Sequence, residues 1–243
     1  MKRITIFALL GLFIWSAFTA DQASDILAKV DKNMMAIKDK TANVEMQMIN
    51  LKNGSKKIKR AMLYQKGLDK KLFRYTYPES DKGIASLTIS GAVYLYLPMF
   101  KKPKKVTNMA EGNTFNKSDF SLADMVTKPY SELYTPKLLK TTATAYILDL
   151  IPKDPENSPY KHLVATINKQ YYYPEKFEYY DKKNVKVKEA VNKYEKVQGL
   201  WIAQTVTMTN LKKNHRTIFI MNDIKLNTGL KNDLFTVENM VEQ

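Results

Sequence analysis

The chain has 243 residues, no cysteine, 44% hydrophobic residues and a formal net charge of +15. Without cysteine it forms no disulfide and carries no lipid on an N-terminal cysteine, so its core alone must hold it together. The positive charge is spread as single lysines along predicted strands, with small knots at Lys56-Lys57, Lys101-Lys102 and Lys104-Lys105. That pattern suits solvated faces or contact with anionic membrane surfaces, and no nucleic-acid motif accompanies it.

Residues 1–20 read as a secretory leader. Lys2 and Arg3 precede an apolar run from Ile4 to Trp15, and Ser16-Ala17-Phe18-Thr19-Ala20 supply a cleavage zone before Asp21. The run is shorter than the roughly 20 residues that span a bilayer. Residues 21–243 are expected to form one exported, periplasmic domain, acting as a monomer.

Ser24 is placed to cap a helix in which Ile26, Leu27, Val30, Met34 and Ile37 recur at helical spacing, ending at Lys38-Asp39-Lys40. From Thr41 the period changes to two. Val44, Met46 and Met48 share one face of a strand, and Asn53-Gly54 marks a hairpin. The return strand sets Ile58, Met62 and Tyr64 opposite Lys57, Lys59 and Gln65. Further strands are predicted at 68–77, 83–90 and 92–97. The stretch 101–137 lacks alternation, and within it Ser121-Leu122-Ala123-Asp124 resembles a capping box. Strands resume at 138–151, 161–168, 172–180, 185–194, 200–210 and 216–226.

Many strands joined by short turns, with one leading helix, predict a mainly β (α+β) fold: a single strongly curved antiparallel sheet. A sheet of that length must curl or close. The first helix and the 101–137 insertion are the material expected to cover its apolar face, and incomplete coverage would leave a greasy hollow. The candidate lining is Val44, Met46, Met48, Met62 and Tyr64, extended by Phe73, Tyr75, Tyr94 and Tyr96. Methionine suits irregular ligands because it is unbranched and polarizable. The same residues would equally serve as core packing against the helix.

No metal-ligating or nucleophilic motif, phosphate-cradling glycine loop or dinucleotide fingerprint is present. The two histidines, His162 and His215, are expected to be ordinary surface or packing residues. The sequence therefore predicts a binding protein without cofactor or metal, not an enzyme.

One segment carries more. Tyr94-Leu95-Tyr96-Leu97-Pro98, a lysine-rich corner and then Ser118-Asp119-Phe120-Ser121 with Asp124 resemble the signature of the outer-membrane lipoprotein-sorting family, the LolA-like carriers. Tyr146–Lys153, Tyr171–Asp181, Gly199-Leu200-Trp201, Met208-Thr209-Asn210, Thr217 and Asp233–Thr236 follow in the family's order. Two positions depart from it: Lys117 and Asn184 stand where glycine is common.

The resemblance implies a half-barrel closed by helices around a hydrophobic cavity, with lipoprotein acyl chains or other lipids as cargo moved toward the outer membrane. It also implies an inner-membrane transporter and an outer-membrane acceptor as partners, with peripheral membrane contact and no nucleic acid. Within the motif Pro98, Ser118, Asp119, Phe120 and Asp124 are expected to be mainly structural, with Asp119 bonding local backbone, Phe120 plugging the sheet edge and Asp124 capping. A lipid-binding sensor, or an accessory subunit of a membrane lipid exporter, would use the same cavity.

Overall fold

The computed structural model describes residues 10–106, 114–121, 124 and 128–241, with side chains from residue 22 onward, Asn116 excepted. Residues 1–9 of the predicted leader, and Leu122, Ala123 and Met125 of the motif segment, lie outside the described residues. One helix, Leu10–Met35, runs from within the predicted leader into the domain, so Ser24 sits inside it and does not cap it. No helix among the described residues is long and apolar enough to cross a membrane. Ala23, Ile26, Leu27 and Val30 form its buried stripe, at the spacing that puts side chains on one helical face.

Thirteen strands follow: β1 (Asp39–Asn50), β2 (Lys56–Lys66), β3 (Lys70–Tyr77), β4 (Ala85–Ile89), β5 (Ala92–Tyr96) and β6 (Lys104–Val106), then β7 (Tyr134–Thr141), β8 (Ala145–Pro152), β9 (His162–Asn168), β10 (Pro174–Tyr180), β11 (Lys186–Val197), β12 (Leu200–Asn210) and β13 (His215–Leu226). They form one curved antiparallel sheet in the order β6-β5-β4-β3-β2-β1-β13-β12-β11-β10-β9-β8-β7. Each wing is therefore a simple meander, and the first and last strands join the two. The chain between the edge strands β6 and β7 must cross from one rim to the other.

The described residues 114–121 of this segment lie over the inner face. Phe115 and Phe120 are buried there, with ring centroids 5.3 Å from Phe73 to Phe115 and 4.7 Å from Phe120 to Phe219. Beneath them the register sets Leu148, Ala165, Phe177, Ala190, Met208, Thr217 and Met48 side by side across seven strands. Each large apolar side chain removed from water here stabilises the fold by about 1.5–3 kcal/mol.

Several boundaries differ from the sequence reading. Asp39 and Lys40 belong to β1, not to the helix end. The Asp39 carboxylate accepts hydrogen bonds from Thr228 N, Thr228 Oγ1, Gly229 N and Leu230 N at 2.7–3.3 Å, which fixes the strand start. These bonds hold its pKa down against the opposing effect of burial. The stretch 138–151 is a hairpin of two strands. The 101–137 stretch contains β6, a short helix at Tyr130–Leu133 and the start of β7.

A further cover was not anticipated. The C-terminal segment packs on the outer face, where Phe235 and Met240 join Leu72, Ala85 and Leu87 in a second core. Lys66 Nζ and Arg74 Nη2 donate to Leu230 O and Asn239 O, both at 2.6 Å, and tie the segment down. Its turn needs Gly229, whose φ of +79° is left-handed.

Candidate functional site

The structure divides the predicted lining residues between the two faces. Val44 pairs with Ala61, and Ala61 with Tyr75, while Leu63 pairs with Phe73, so Val44, Met46, Met48, Phe73 and Tyr75 share the inner face. Met62 instead pairs with Asn43, and Tyr64 with Leu72. Through Leu72, Leu87 and Tyr94 this second set, Tyr96 included, lies on the outer face against the C-terminal segment.

The alternation read for β2 is right, but its lysine-bearing side is the one that faces inward. Lys59 lies beside Met46 there, paired with Asp81 at 2.7 Å. The nine residues therefore do not line one hollow. Val44, Met46, Phe73 and Tyr75 pack within the inner core, because the crossing segment's Phe115 and Phe120 occupy the space above them. Met48 and His215 border a separate polar cleft of about 570 Å³, and Met62 and Tyr64 an outer one of about 540 Å³.

The motif residues also differ from expectation. Asp119 Oδ2 accepts from His215 Nδ1 (2.6 Å) and Thr217 Oγ1 (2.7 Å), both on central strand β13, so among the described residues its carboxylate is held by that strand and not by local backbone. Phe120 fills the middle of the inner face, not the sheet edge. Ser118 Oγ accepts from Phe120 N in a local turn. Ser121 and Asp124 form a reciprocal capping box, each side chain accepting from the other's backbone N–H. Pro98 opens a 3-10 turn, Pro98–Phe100. His162 is paired as well: Asp149 takes its Nδ1 and the ring stacks on Tyr180.

Further unfilled space lies on the inner face under the C-terminal end of the helix. One cleft of about 490 Å³ is bounded by Val30, Met34 and Ile37, by Lys40, Gln65 and Lys71, and by the aromatic group Tyr171, Tyr173, Tyr194 and Trp201. A second of about 320 Å³ is bounded by Tyr130, Tyr134, Phe177, Ala190, Val206 and Met208. Met34, Pro174, Tyr194 and Ala203 border both, so the two adjoin. Ala190 and Ala203 are among the sheet residues that border this space, and their side chains are too short to fill it.

The aromatic rim is tightly built. Tyr173 stacks on Tyr194 at 4.0 Å, and Trp201 lies 4.8 Å from Tyr171. The side chains of Asp31 and Asn33 fasten the helix over the clefts. Asp31 accepts from Tyr130 N (2.6 Å) and Ser131 N (2.9 Å), and Asn33 Nδ2 donates to Tyr171 O (2.7 Å). Lys29 sits over the Tyr172 ring at 4.7 Å.

Burial pushes the Lys40 ammonium down to about 8. It pushes Lys71 down to about 7, with the charge of Lys40 as the second cause. Burial likewise raises Tyr194 and Tyr179 well above the phenol range. Among the described residues no three His, Cys, Asp or Glu side chains converge as metal ligands. The sequence reading missed this site. The signal available was the Tyr171-Tyr172-Tyr173 run at the turn before β10, with Trp201 at the start of β12.

An open, curved antiparallel sheet with a helix laid over an apolar cleft on its inner face is the LolA-like half-barrel. A family model described only as that of an uncharacterized protein matches residues 67–242, and the chain belongs to that family. A DUF1329 family protein from Desulfovibrio piger superposes with TM-score 0.83 at 20% identity, covering 91% of this chain and 99% of its own. A domain from Vibrio parahaemolyticus named for outer membrane lipoprotein sorting gives 0.81 at 26% identity, with 91% and 99% covered. A LolA superfamily protein from Nitrosomonas europaea gives 0.72 at 20% identity, with 88% and 97% covered. A search of the curated proteins returns no match. The resemblance to lipoprotein-sorting, LolA-like proteins seen in the sequence thus holds across the whole fold.

Proposed function

We propose that the protein is a periplasmic carrier that takes lipoprotein acyl chains, or other lipids, into the paired clefts beneath its helix and moves them toward the outer membrane. The observation that carries this reading is the unfilled apolar space at Met34, Tyr194 and Ala203, which joins two clefts whose volumes fall in the range of small-molecule sites. Each methylene buried there gains about 0.8 kcal/mol, which is what a chain crossing an aqueous compartment requires. Met34, unbranched and flexible, stands at the junction and can yield to a ligand. The likeness to the Vibrio lipoprotein-sorting domain supports the same reading. So does the leader-like N-terminus, cleaved near Ala20, which would place the domain outside the cytoplasm. On this reading the protein binds its cargo without transforming it, receiving it from an inner-membrane transporter and delivering it to an outer-membrane acceptor.

Mass spectrometry of organic extracts from protein purified out of its native envelope tests the proposal, and copurifying lipid is the expected result. Ala203→Phe should fill the junction, lowering the affinity for a fluorescent acyl probe at least tenfold with little change in stability. Protein that yields no lipid and takes up no acyl probe would overturn the reading.

A further inference from the structure

The two rims of the sheet, where its turns collect, differ in chemistry. Strands β1, β3, β5, β8, β10 and β12 all end at one rim, where His215 pairs with both Asn50 and Asn210. The turns there are 51–55, 78–84, 97–103, 153–161, 181–185 and 211–214. Lys56-Lys57, Lys101-Lys102, Lys104-Lys105, Lys182-Lys183 and Lys212-Lys213 all stand in or beside these turns, and all are exposed. The sequence holds one other Lys-Lys pair, Lys70-Lys71, and it opens β3 at the opposite rim.

Large apolar side chains are exposed beside these lysines. Met99 and Phe100, at 80% and 51% exposure, form the tip of the 97–103 turn, directly before Lys101-Lys102. Lys104 Nζ lies 4.8 Å from the centre of the Phe100 ring. Leu51 precedes Lys52, Leu211 precedes Lys212-Lys213, and Val185 closes the turn that begins Lys182-Lys183; all three are exposed. The carboxylates at this rim are largely engaged. Asp81 meets Lys59 at 2.7 Å, Asp181 meets Lys212 at 2.9 Å and Glu79 meets Lys82 at 3.4 Å. Asp154 and Glu156 stand in the 153–161 loop, toward the far edge of the sheet.

From β5 to β10 the pattern crosses eight strand spacings, roughly 40 Å along the curved sheet. Apolar tips flanked by cations recur on separate turns, which suits an extended surface and not a small ligand. An anionic bilayer offers headgroup charge to the lysines and hydrocarbon to the tips at once. We propose that this rim docks on an anionic bilayer, with Met99 and Phe100 entering the headgroup layer and the Lys-Lys pairs seated on the headgroups. The cleft of about 490 Å³ borders the opposite rim at Gln170 and Tyr171 and at Gly199 and Leu200, so docking leaves it uncovered. The docking does not depend on the carrier reading.

Sedimentation of protein purified from its envelope with vesicles tests the proposal. One set is phosphatidylcholine alone and the other an equal mixture with phosphatidylglycerol. At low salt the wild type is expected to bind the mixture about tenfold tighter or more, since each lysine at such a surface is worth about fivefold. Lys101→Ala/Lys102→Ala should lose about tenfold or more of that affinity. Met99→Ser/Phe100→Ser should also weaken it, by about fivefold or more, through loss of the apolar tip. Lys38→Ala/Lys231→Ala removes the same charge from the opposite rim and should stay within about twofold of wild type.

Equal binding of wild type to the two vesicles overturns the proposal. Binding to neither overturns it too, and leaves an acidic protein surface as the occupant of the rim. Full affinity retained by either variant of the 97–103 turn does the same. So does an equal loss from the Lys38/Lys231 variant, which would mean attraction by net charge alone. Acyl-probe uptake should match wild type in all three variants, so failure of the docking is distinguishable from failure of the carrier reading.

Discussion

The two faces of the sheet are covered by different means. On the outer face the C-terminal segment supplies large side chains: Phe235 is fully buried and Met240 is 1% exposed, against Leu72 and Leu87 at 0%. On the inner face the helix rests above Ala190 and Ala203, fastened by Asp31 and Asn33, and space is left beneath it. The outer cover thus buries its own large side chains beside a cleft of about 540 Å³, whereas the inner cover leaves two adjoining clefts of about 490 and 320 Å³ beneath the helix. A well-packed face stabilises; an open one is available to a ligand.

Among substitutions, removing the plug on the closed face should have the largest effect. Phe235→Ala is expected to cost about 3–5 kcal/mol, the range for deleting a fully buried aromatic ring. Urea unfolding measures it. A loss under about 1 kcal/mol would mean that the outer cover does not hold the fold, and the contrast would collapse.

The open face should respond to its fastening instead. Asp31 is 2% exposed and its carboxylate takes two backbone N–H groups of the short helix at Tyr130–Leu133. Asp31→Ala leaves those donors without their acceptor, at a cost of about 3 kcal/mol. Faster hydrogen exchange at Tyr130 and Ser131, with slower exchange unchanged around Phe235, would localise the loss to the inner cover.

Lys40 and Lys71, which border the first cleft, add a pH signature that the outer face lacks. Folded, Lys71 loses its proton near 7 and Lys40 near 8, whereas both hold it to about 10.5 when unfolded. Across that window the unfolded chain binds more protons, so stability rises with pH. Polar groups that line the same cleft as these lysines include Asn33, Gln65, Gln170 and the tyrosines at 171, 172, 173 and 194. Ligand-free protein should gain on the order of 5 kcal/mol between pH 7 and pH 9.5, roughly 10–15 °C in Tm. Lys71→Met should flatten that rise. Above about pH 10 the buried Tyr179 and Tyr194, which keep their protons when folded, reverse the slope.

The contrast between faces was only half legible in the sequence. Period-two patterning located nearly every strand, because alternation is a local property. It does not state which face turns inward. On β2 the apolar-looking side, Met62 and Tyr64, lies outside under the C-terminal segment, while Lys59 and Gln65 face in. Two facts decide that orientation, the β1–β13 pairing and the placement of Phe115 and Phe120, and both join residues more than 40 positions apart. The cleft was hidden for a related reason: it is made by alanines, by space and by a tyrosine turn from the distant wing. The Ser121–Asp124 capping box, wholly local, was read correctly. The Asp119–His215 pair, which spans 96 positions, was not.

Lys117 gives the smallest test, and one where the family resemblance had something to say. It stands where glycine is common, and its φ of +65° lies in the left-handed region. A side chain held there costs about 1–2 kcal/mol, while glycine adds roughly 0.5–1 kcal/mol of unfolded-state entropy. Lys117→Gly is therefore expected to stabilise by at most about 1.5 kcal/mol. Because Lys117 is exposed at the entry to the Phe115–Phe120 plug, the gain should appear in urea unfolding with acyl-probe affinity unchanged. A change in affinity without a change in stability would instead tie this segment to the ligand and move the site boundary toward the plug.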